Sequence, residues 1–147
     1  MEGINQVINQ LFIATDQQNW ETVESSFADS VRLDYSTMSG SPAALLTPKE
    51  ITTAWKGILP GFTHTHHQIG NIIGNINGSS AHVFCYGTAT HFLENNDGNI
   101  WTVVGSYDFD LIRIDEKWKI SAMKFNFKYQ DGNNSLPAIA IENVQSK

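Results

Sequence analysis

The chain has little cysteine and little charge. Its single cysteine, Cys85, excludes an intramolecular disulfide, and without a CxxC or Cys/His pattern it does not indicate a zinc site. Charged residues make up 16% of the 147 residues, below the usual share of about 25%. The net charge is -6 and no cluster of Lys or Arg stands out, so we expect no nucleic-acid partner.

Long hydrophobic runs are also missing from the sequence. No segment approaches the ~20 continuous apolar residues that a membrane-spanning helix needs, and the N-terminus has no basic start followed by an apolar run. We therefore expect no membrane partner, no export signal and a cytoplasmic protein. The chain does have 41% hydrophobic residues, enough for one domain with its own core.

Apolar residues in the first part of the chain recur at helical spacing. Residues 1–14 follow an i, i+3, i+4, i+7, i+8 pattern, which predicts a helix with one buried face. The residues of this pattern are Ile4, Val7, Ile8, Leu11 and Phe12. A second helix is predicted over 17–27, with Thr15 or Asp16 as its cap, and a first strand follows at 31–35.

The next segment combines a loop with a third helix. Residues 36–46 are rich in Ser, Gly, Ala and Pro without a period, which indicates a long loop able to cover the mouth of a pocket. Thr47 is typical of an N-cap, Pro48 of the first helical position, and Glu50 completes a capping box. The helix that begins there is predicted to end near Leu59.

From residue 63 onward the pattern is typical of strands. Four strands are predicted at 63–76, 80–94, 100–115 and 117–129, separated by short turns rich in Asn, Asp and Gly. Helices followed by hairpin-connected strands indicate an α+β fold, in which a curved antiparallel sheet wraps the helices around a cone-shaped pocket. Residues 131–147 are predicted to form a tail that packs on a neighbour or frays.

The strand at 80–94 has one small face and one bulky face. The small face consists of Ala81, Val83, Cys85, Gly87, Ala89 and His91. The bulky face consists of His82, Phe84, Tyr86, Thr88, Thr90 and Phe92. The small face suits a pocket floor or a covering helix, whereas the bulky face suits a subunit interface. We therefore expect a homo-oligomer, either a dimer or, alternatively, a trimer.

Three of the five histidines lie close together in the strand predicted at 63–76. Because side chains of a strand alternate between its faces, His67 and Asn71 are predicted to share one face and His64 and His66 the other. Two imidazoles at i, i+2 can chelate a metal ion, but no third ligand is evident. We therefore predict no metal site.

The order and spacing of motifs along the chain resemble a known family. The matching residues are Asp16, Trp20, Phe27-Ala28-Asp29, Trp55, His67-Gln68-Ile69-Gly70-Asn71, Gly78, Ala81, His91, Gly105-Ser106-Tyr107, Leu111, Arg113 and Trp118-Lys119-Ile120. Together they resemble the SnoaL-like branch of the nuclear transport factor 2-like superfamily. The resemblance implies a SnoaL-like domain over residues 1–130 and a C-terminal tail over 131–147.

This resemblance implies a cofactor-free pocket for a small, largely apolar ring compound. The family includes scytalone dehydratase, polyketide cyclases, a dehydrochlorinase and steroid isomerase relatives, with dioxygenase small subunits as non-catalytic kin. By motif position His67 and Asp16 match a pair that removes a proton beside a leaving group, with His67 as general base. The implied activity is that of a cofactor-independent lyase or isomerase.

The sequence departs from the family at one point. Where several active relatives carry Tyr or Lys about one helical turn before the aspartate, this chain has Leu11 and Phe12. The departure keeps open a second interpretation, in which the protein is a non-catalytic ligand-binding or accessory module. If the protein is an enzyme, Tyr107 or Tyr35 can donate a hydrogen bond to the substrate in place of the absent acid.

Each candidate residue also has a purely structural interpretation. His67 is alternatively a core histidine hydrogen-bonded to Asn71 or to a backbone carbonyl, and Asp16 a helix N-cap. Tyr107 and Tyr35 are alternatively ordinary half-buried strand residues. In a fold with a hollow core, core residues can also line the pocket. The predicted ligand-binding residues are Tyr35, Trp20, Trp55, Phe62, His91 and Phe125, of which His91 marks the pocket rim or faces solvent at the end of its strand.

Overall fold

The computed structural model describes residues 1–146, in which four of the five helices precede the long strands and one follows them. The helices are α1 (Glu2–Asp16), α2 (Trp20–Ser25), α3 (Ser36–Ser39), α4 (Pro48–Lys56) and α5 (Leu136–Gln145), with a 3-10 turn at Leu59–Gly61. The strands are β1 (Phe27–Asp34), β2 (Ala44–Leu46), β3 (His64–Asn77), β4 (Ser80–Phe92), β5 (Ile100–Ile114) and β6 (Lys117–Gly132).

The strands form one sheet in the order β2-β1-β6-β5-β4-β3. Neighbouring strands are antiparallel except β1 and β6, which pair in parallel. The sheet is curved and unclosed, and the predicted α+β fold is confirmed. Among the described residues, no helix has the length and apolarity needed to span a membrane.

The apolar stripe of α1 packs this helix onto the sheet at β3 and β6. Ile4, Ile8 and Leu11 have no exposed surface and belong to the same core as Phe109 and Met123 of the sheet. Burying one such side chain stabilises the fold by about 1.5–3 kcal/mol. The stripe therefore fixes where the end of α1 lies relative to β3.

The connection between α1 and α2 differs from the prediction. Helix α1 continues to Asp16, and Asn19 is the N-cap of α2, with its side chain accepting a hydrogen bond from the Thr22 N–H at 3.3 Å. The prediction that Asp16 caps the second helix is therefore wrong. A carboxylate in the last turn of α1 is free to reach another part of the chain.

Residues 36–46 are more ordered than the predicted loop. They form α3 and the short strand β2, which pairs with β1 through Val31 and Leu46. The Thr37 hydroxyl donates to the Phe125 carbonyl at 2.8 Å and fixes α3 on β6. The loop prediction is wrong at 36–39 and 44–46, where α3 and β2 form, and it holds at 40–43, which belong to no helix or strand. Elements of three or four residues are too short to give a periodic signal. The capping box predicted at Thr47 is confirmed, with both of its hydrogen bonds formed.

A bulge in β3 overturns part of the predicted face assignment. The pairing of β3 with β4 shifts register between Gly70 and Ile73, and Asn71 has a φ of 55°. Asn71 is exposed, so the prediction that it shares a face with His67 is wrong. The bulge adds a residue to the strand, which reverses the alternation of faces and leaves Ile73 68% exposed.

The C-terminal segment packs on its own chain. Leu136 and Ala140 of α5 are fully buried, and the Asn143 amide donates to the Gly61 carbonyl at 3.1 Å. The prediction that the tail frays or packs on a neighbour is therefore wrong for residues 136–145. Lys147, the last residue of that predicted tail, lies outside the described residues.

Candidate active site

A cavity of about 570 Å³ lies between the helices and the buried face of the sheet. It is lined by Phe12, Thr15, Tyr35, Met38, Ser39, Trp55, Ile58, Leu59, His67, Ala89, His91, Trp101, Val103, Tyr107, Met123 and Phe125. Among these described lining residues there is no Lys, Arg, Asp or Glu. The polar side-chain groups of the wall are therefore two imidazoles, two phenols, the indoles of Trp55 and Trp101, and the hydroxyls of Thr15 and Ser39.

His67 of β3 and Asp16 of α1 form a hydrogen-bonded pair at this cavity. Nδ1 of His67 lies 2.7 Å from Oδ1 of Asp16, and the His67 backbone N–H donates to Oδ2 at 2.7 Å. The side chains are 14% and 18% exposed. The alternative in which His67 is satisfied by Asn71 or a backbone carbonyl is wrong, because its Nδ1 partner is the Asp16 carboxylate.

The Asp16 carboxylate is held in its charged form by its neighbours. Burial would raise the pKa of Asp16, but hydrogen bonds and charge attraction from His67 and a hydrogen bond from Thr65 outweigh it and lower that pKa below its ordinary value. A charged carboxylate must receive the Nδ1 proton. The neutral His67 ring therefore carries its lone pair on Nε2, which has no hydrogen-bond partner among residues 1–146.

Aromatic residues pack around the His67 ring. Phe12 stacks on it with ring centroids 5.5 Å apart, and the His91 ring meets it edge-on at 6.2 Å. Phe12 also contacts Tyr107 at 5.0 Å. Phe12, one of the two residues that depart from the family pattern, is thus part of the cavity wall and brings no proton donor to it.

Tyr107 and Tyr35 carry phenols that burial keeps protonated. Burial raises the pKa of both side chains, and neither hydroxyl has a hydrogen-bond partner within the described part of the chain. Tyr107 lies close to Gly87, where an added Cβ would be 2.3 Å from the Tyr107 ring. Gly87 thus leaves the space into which this ring fits on the cavity floor.

His91 has a different environment from His67. Its Nδ1–H donates to the Trp101 carbonyl at 3.0 Å, and the residue is 5% exposed. Burial lowers the pKa of His91 to about 4, so the ring is neutral at neutral pH and carries its lone pair on Nε2. The alternative of a solvent-facing strand-end histidine is wrong.

The other predicted ligand-binding residues divide into two groups. Trp55 and Phe125 line the cavity together with Tyr35. Trp20 and Phe62 are not among the described residues that line the cavity. Trp20 of α2 packs against the hydrophobic core, and Phe62 contacts the rings of His91 and Trp101. Helical or strand spacing shows that an aromatic residue is buried, but not whether it reaches a cavity.

The cluster at His64 and His66 lies on the exposed face of β3, away from the cavity. Asp108 and Asp110 of β5 hydrogen-bond His82 of β4 instead, at 3.1 and 2.9 Å. In residues 1–146 no group of three or more His, Cys, Asp or Glu side chains is arranged to hold a metal ion.

The curved sheet and the N-terminal helices that cover its cavity have the α+β fold of nuclear transport factor 2-like proteins. The chain belongs to the SnoaL-like family, since residues 1–124 match the model of the SnoaL-like domain. A comparison with curated protein sequences gave no significant match.

Several solved structures share this fold over most of their length. The Kfla4162 protein from Kribbella flavida is 20% identical, with 98% of this chain and 95% of that chain covered and a TM-score of 0.85. A proposed scytalone dehydratase from Novosphingobium aromaticivorans is 17% identical, with 91% and 87% covered and a TM-score of 0.79. The hexachlorocyclohexane dehydrochlorinase LinA-type3 from Novosphingobium barchaimii is 14% identical, with 90% and 89% covered and a TM-score of 0.75.

Proposed function

We propose that this protein is a cofactor-independent lyase or isomerase that removes a proton from a small, mainly apolar ring compound. The observation that carries the proposal is the 2.7 Å hydrogen bond between His67 and Asp16 at the wall of a largely apolar cavity. Two of the similar structures bear the names of elimination enzymes, a dehydratase and a dehydrochlorinase. Membership of the SnoaL-like family agrees with this kind of chemistry.

His67 acts as the general base in this proposal. Nε2 accepts a proton from a substrate carbon, and the Asp16 carboxylate stabilises the imidazolium that forms. In a lyase, the electrons of the broken C–H bond form a C=C bond while the neighbouring group leaves with its bonding pair. In an isomerase, the same electrons form an enol or enolate, and the proton returns to another carbon.

The phenols of Tyr107 and Tyr35 serve as hydrogen-bond donors. Because burial keeps them protonated, they can stabilise the negative charge that develops on a carbonyl oxygen or on a leaving group. They thereby take the place of the Tyr or Lys proton donor that several active relatives carry about one helical turn before the aspartate. Tyr107 is the more direct candidate, since its ring lies in contact with Phe12, which itself stacks on His67.

The wall of the cavity indicates which ligands it accepts. Without a Lys or Arg among its described lining residues, it offers no counter-ion for a carboxylate or phosphate, and desolvating such a group there would be costly. His91 offers an acceptor at Nε2, so a hydroxyl on the ring compound would find a partner. Trp55 and Phe125 supply flat apolar surface for the ring itself.

Substitution of His67 tests the proposal. We expect His67→Gln to lower turnover of the best compound in a panel of cyclic alcohols, enones and halides by about 100-fold or more. Mass spectrometry in deuterated water follows the loss of a proton from the compound. Circular dichroism checks that the variant protein is folded. His66→Gln is the matched control, because His66 lies on the same strand but on the exposed face. Full activity in His67→Gln would refute the proposal.

A binding or accessory role is the second candidate. It is favoured by one observation, the apolar residues Leu11 and Phe12 about one helical turn before Asp16, where several active relatives carry Tyr or Lys. This role predicts that a panel compound binds the wild-type protein and His67→Ala equally well in calorimetry. Conversion of the bound compound would rule it out.

A further inference from the structure

Thr65 is a residue that the sequence did not single out and that touches the proposed catalytic pair. It lies two positions before His67 on β3, and its hydroxyl donates to Oδ1 of Asp16 at 2.9 Å. Residues two apart on a strand share a face, so Thr65 and His67 reach the carboxylate from the same side. Thr65 is not among the described residues that line the cavity, so its effect must pass through Asp16.

Asp16 depends on donors from β3. It is the last residue of α1, where the free carbonyls of the final turn disfavour a negative charge, and that turn has no basic residue. The carboxylate receives three hydrogen bonds instead, all from β3: one on Oδ2 from the His67 backbone, and two on Oδ1 from the His67 ring and Thr65. Such charge-assisted bonds are roughly twice as strong as neutral ones.

The arrangement of these donors fixes the plane of the carboxylate. The backbone bond to Oδ2 holds one oxygen but leaves the carboxylate able to pivot about that oxygen. The Thr65 hydroxyl holds the other oxygen, and it does so without using the His67 ring. Oδ1 is thus already directed at Nδ1 before the ring forms its own bond.

We propose that Thr65 is a positioning residue, whose hydroxyl directs Oδ1 of Asp16 at Nδ1 of His67 and so keeps the lone pair of the ring on Nε2. The inference rests on the proposed function, because it assigns Thr65 a role in preparing the general base. Its hydrogen bond also helps to lower the pKa of Asp16, in agreement with a carboxylate held in its charged form.

Thr65→Val tests the inference, because valine has the shape of threonine without the donor. We expect three changes: a higher Asp16 pKa in a carbon-detected titration of its carboxyl, a mixture of His67 tautomers in nitrogen-detected NMR, and a kcat lowered about 10-fold with KM within about twofold. Thr65→Ser should restore all three. Thr88→Val, on the exposed face of β4, is the control.

The two NMR readouts need no substrate, so this test is separate from that of the function. An unchanged Asp16 titration and a single His67 tautomer in Thr65→Val would overturn the positioning role. If both readouts change while His67→Gln keeps full activity, the positioning role stands and the proposed function falls. Should Thr65→Val fail to fold, Thr65→Ala removes the same donor.

Discussion

At the scale of single residues, Asp16 lies at an unfavourable place in its helix and gains its stability from another element. Its carboxylate accepts three hydrogen bonds from β3, and these bonds help to hold its pKa below the ordinary value of an aspartate. A carboxylate with a depressed folded pKa contributes stability that is complete above its unfolded pKa and is lost as the pH falls through the folded one.

We therefore expect Asp16→Asn to destabilise the fold by about 2 kcal/mol at pH 7, because an amide replaces a charged acceptor and directs N–H groups at the donors of His67. Near pH 3 the difference from wild type should shrink, as the carboxylate of the wild type becomes protonated. Urea denaturation at both pH values measures this. Asp29→Asn, at an exposed position of β1, is the control.

A difference that does not depend on pH would contradict the expectation, since it would mean that the charge of Asp16 has no part in its stabilising effect.

The contact between His67 and Asp16 was predictable only through the resemblance to the SnoaL-like family, because the two residues are far apart in the sequence. The hydrogen bond from Thr65 to Asp16 was not predictable, because the β propensity of threonine is reason enough for its presence in a strand. For Trp20 and Phe62 the prediction failed in the other direction, because it assigned a ligand-binding role to residues that do not line the cavity. Their types and spacing indicate burial, and both are at least partly buried, yet neither lines the cavity within the described residues.

At the scale of elements, the close approach of α5 to the turn before β3 depends on Gly61. A Cβ at this position would be 1.9 Å from the Ala140 carbonyl oxygen, which is a backbone atom with little freedom to move. Helix α5 therefore contacts the chain directly next to the strand that carries His67.

We expect Gly61→Ala to displace α5 and to destabilise the protein by about 2 kcal/mol, as is typical of overpacking. Urea denaturation measures the loss, and hydrogen exchange shows whether it is concentrated in α5. Gly70→Ala is the matched control, since an added Cβ at Gly70 meets nothing within 4 Å. Equal stability of the two variants would show that α5 adapts to the extra methyl group.

Long elements with a clear period, such as α1 and the four long strands, were predictable from the sequence. The bulge at Asn71 was not, because an extra residue in a strand leaves the composition unchanged and only shifts the alternation after it. The packing of helix α5 on its own chain was not predicted. The apolar residues Leu136, Ile139 and Val144 suit packing on the same chain as well as packing on a partner, so the sequence does not distinguish the two.

At the scale of the whole molecule, the face of the sheet opposite the cavity carries exposed apolar side chains. Tyr86 is 47% exposed and Ile73 is 68% exposed. The alternation of β4 between a buried small face and a more exposed bulky face is confirmed. The assembly through that bulky face stays a prediction.

We expect light scattering to give the mass of a dimer, or alternatively of a trimer, because pairing this face would remove its aromatic surface from water. Tyr86→Glu should shift the mass toward the monomer. Ile13→Glu adds the same charge at a 57% exposed apolar residue of α1 and should leave the mass unchanged. A monomeric wild type would refute the prediction.

The hydrogen bond between Asp16 and the backbone of His67 joins residues 51 positions apart. Closing a loop of that length in a flexible chain costs roughly 3.5 kcal/mol of conformational entropy beyond a constant term, and no short-range contact offsets it. The pair is therefore strongly disfavoured in the unfolded chain, and the docking of α1 on β3 stabilises it. In the proposed enzyme, turnover would accordingly report the fraction of molecules in which these distant parts of the chain have come together.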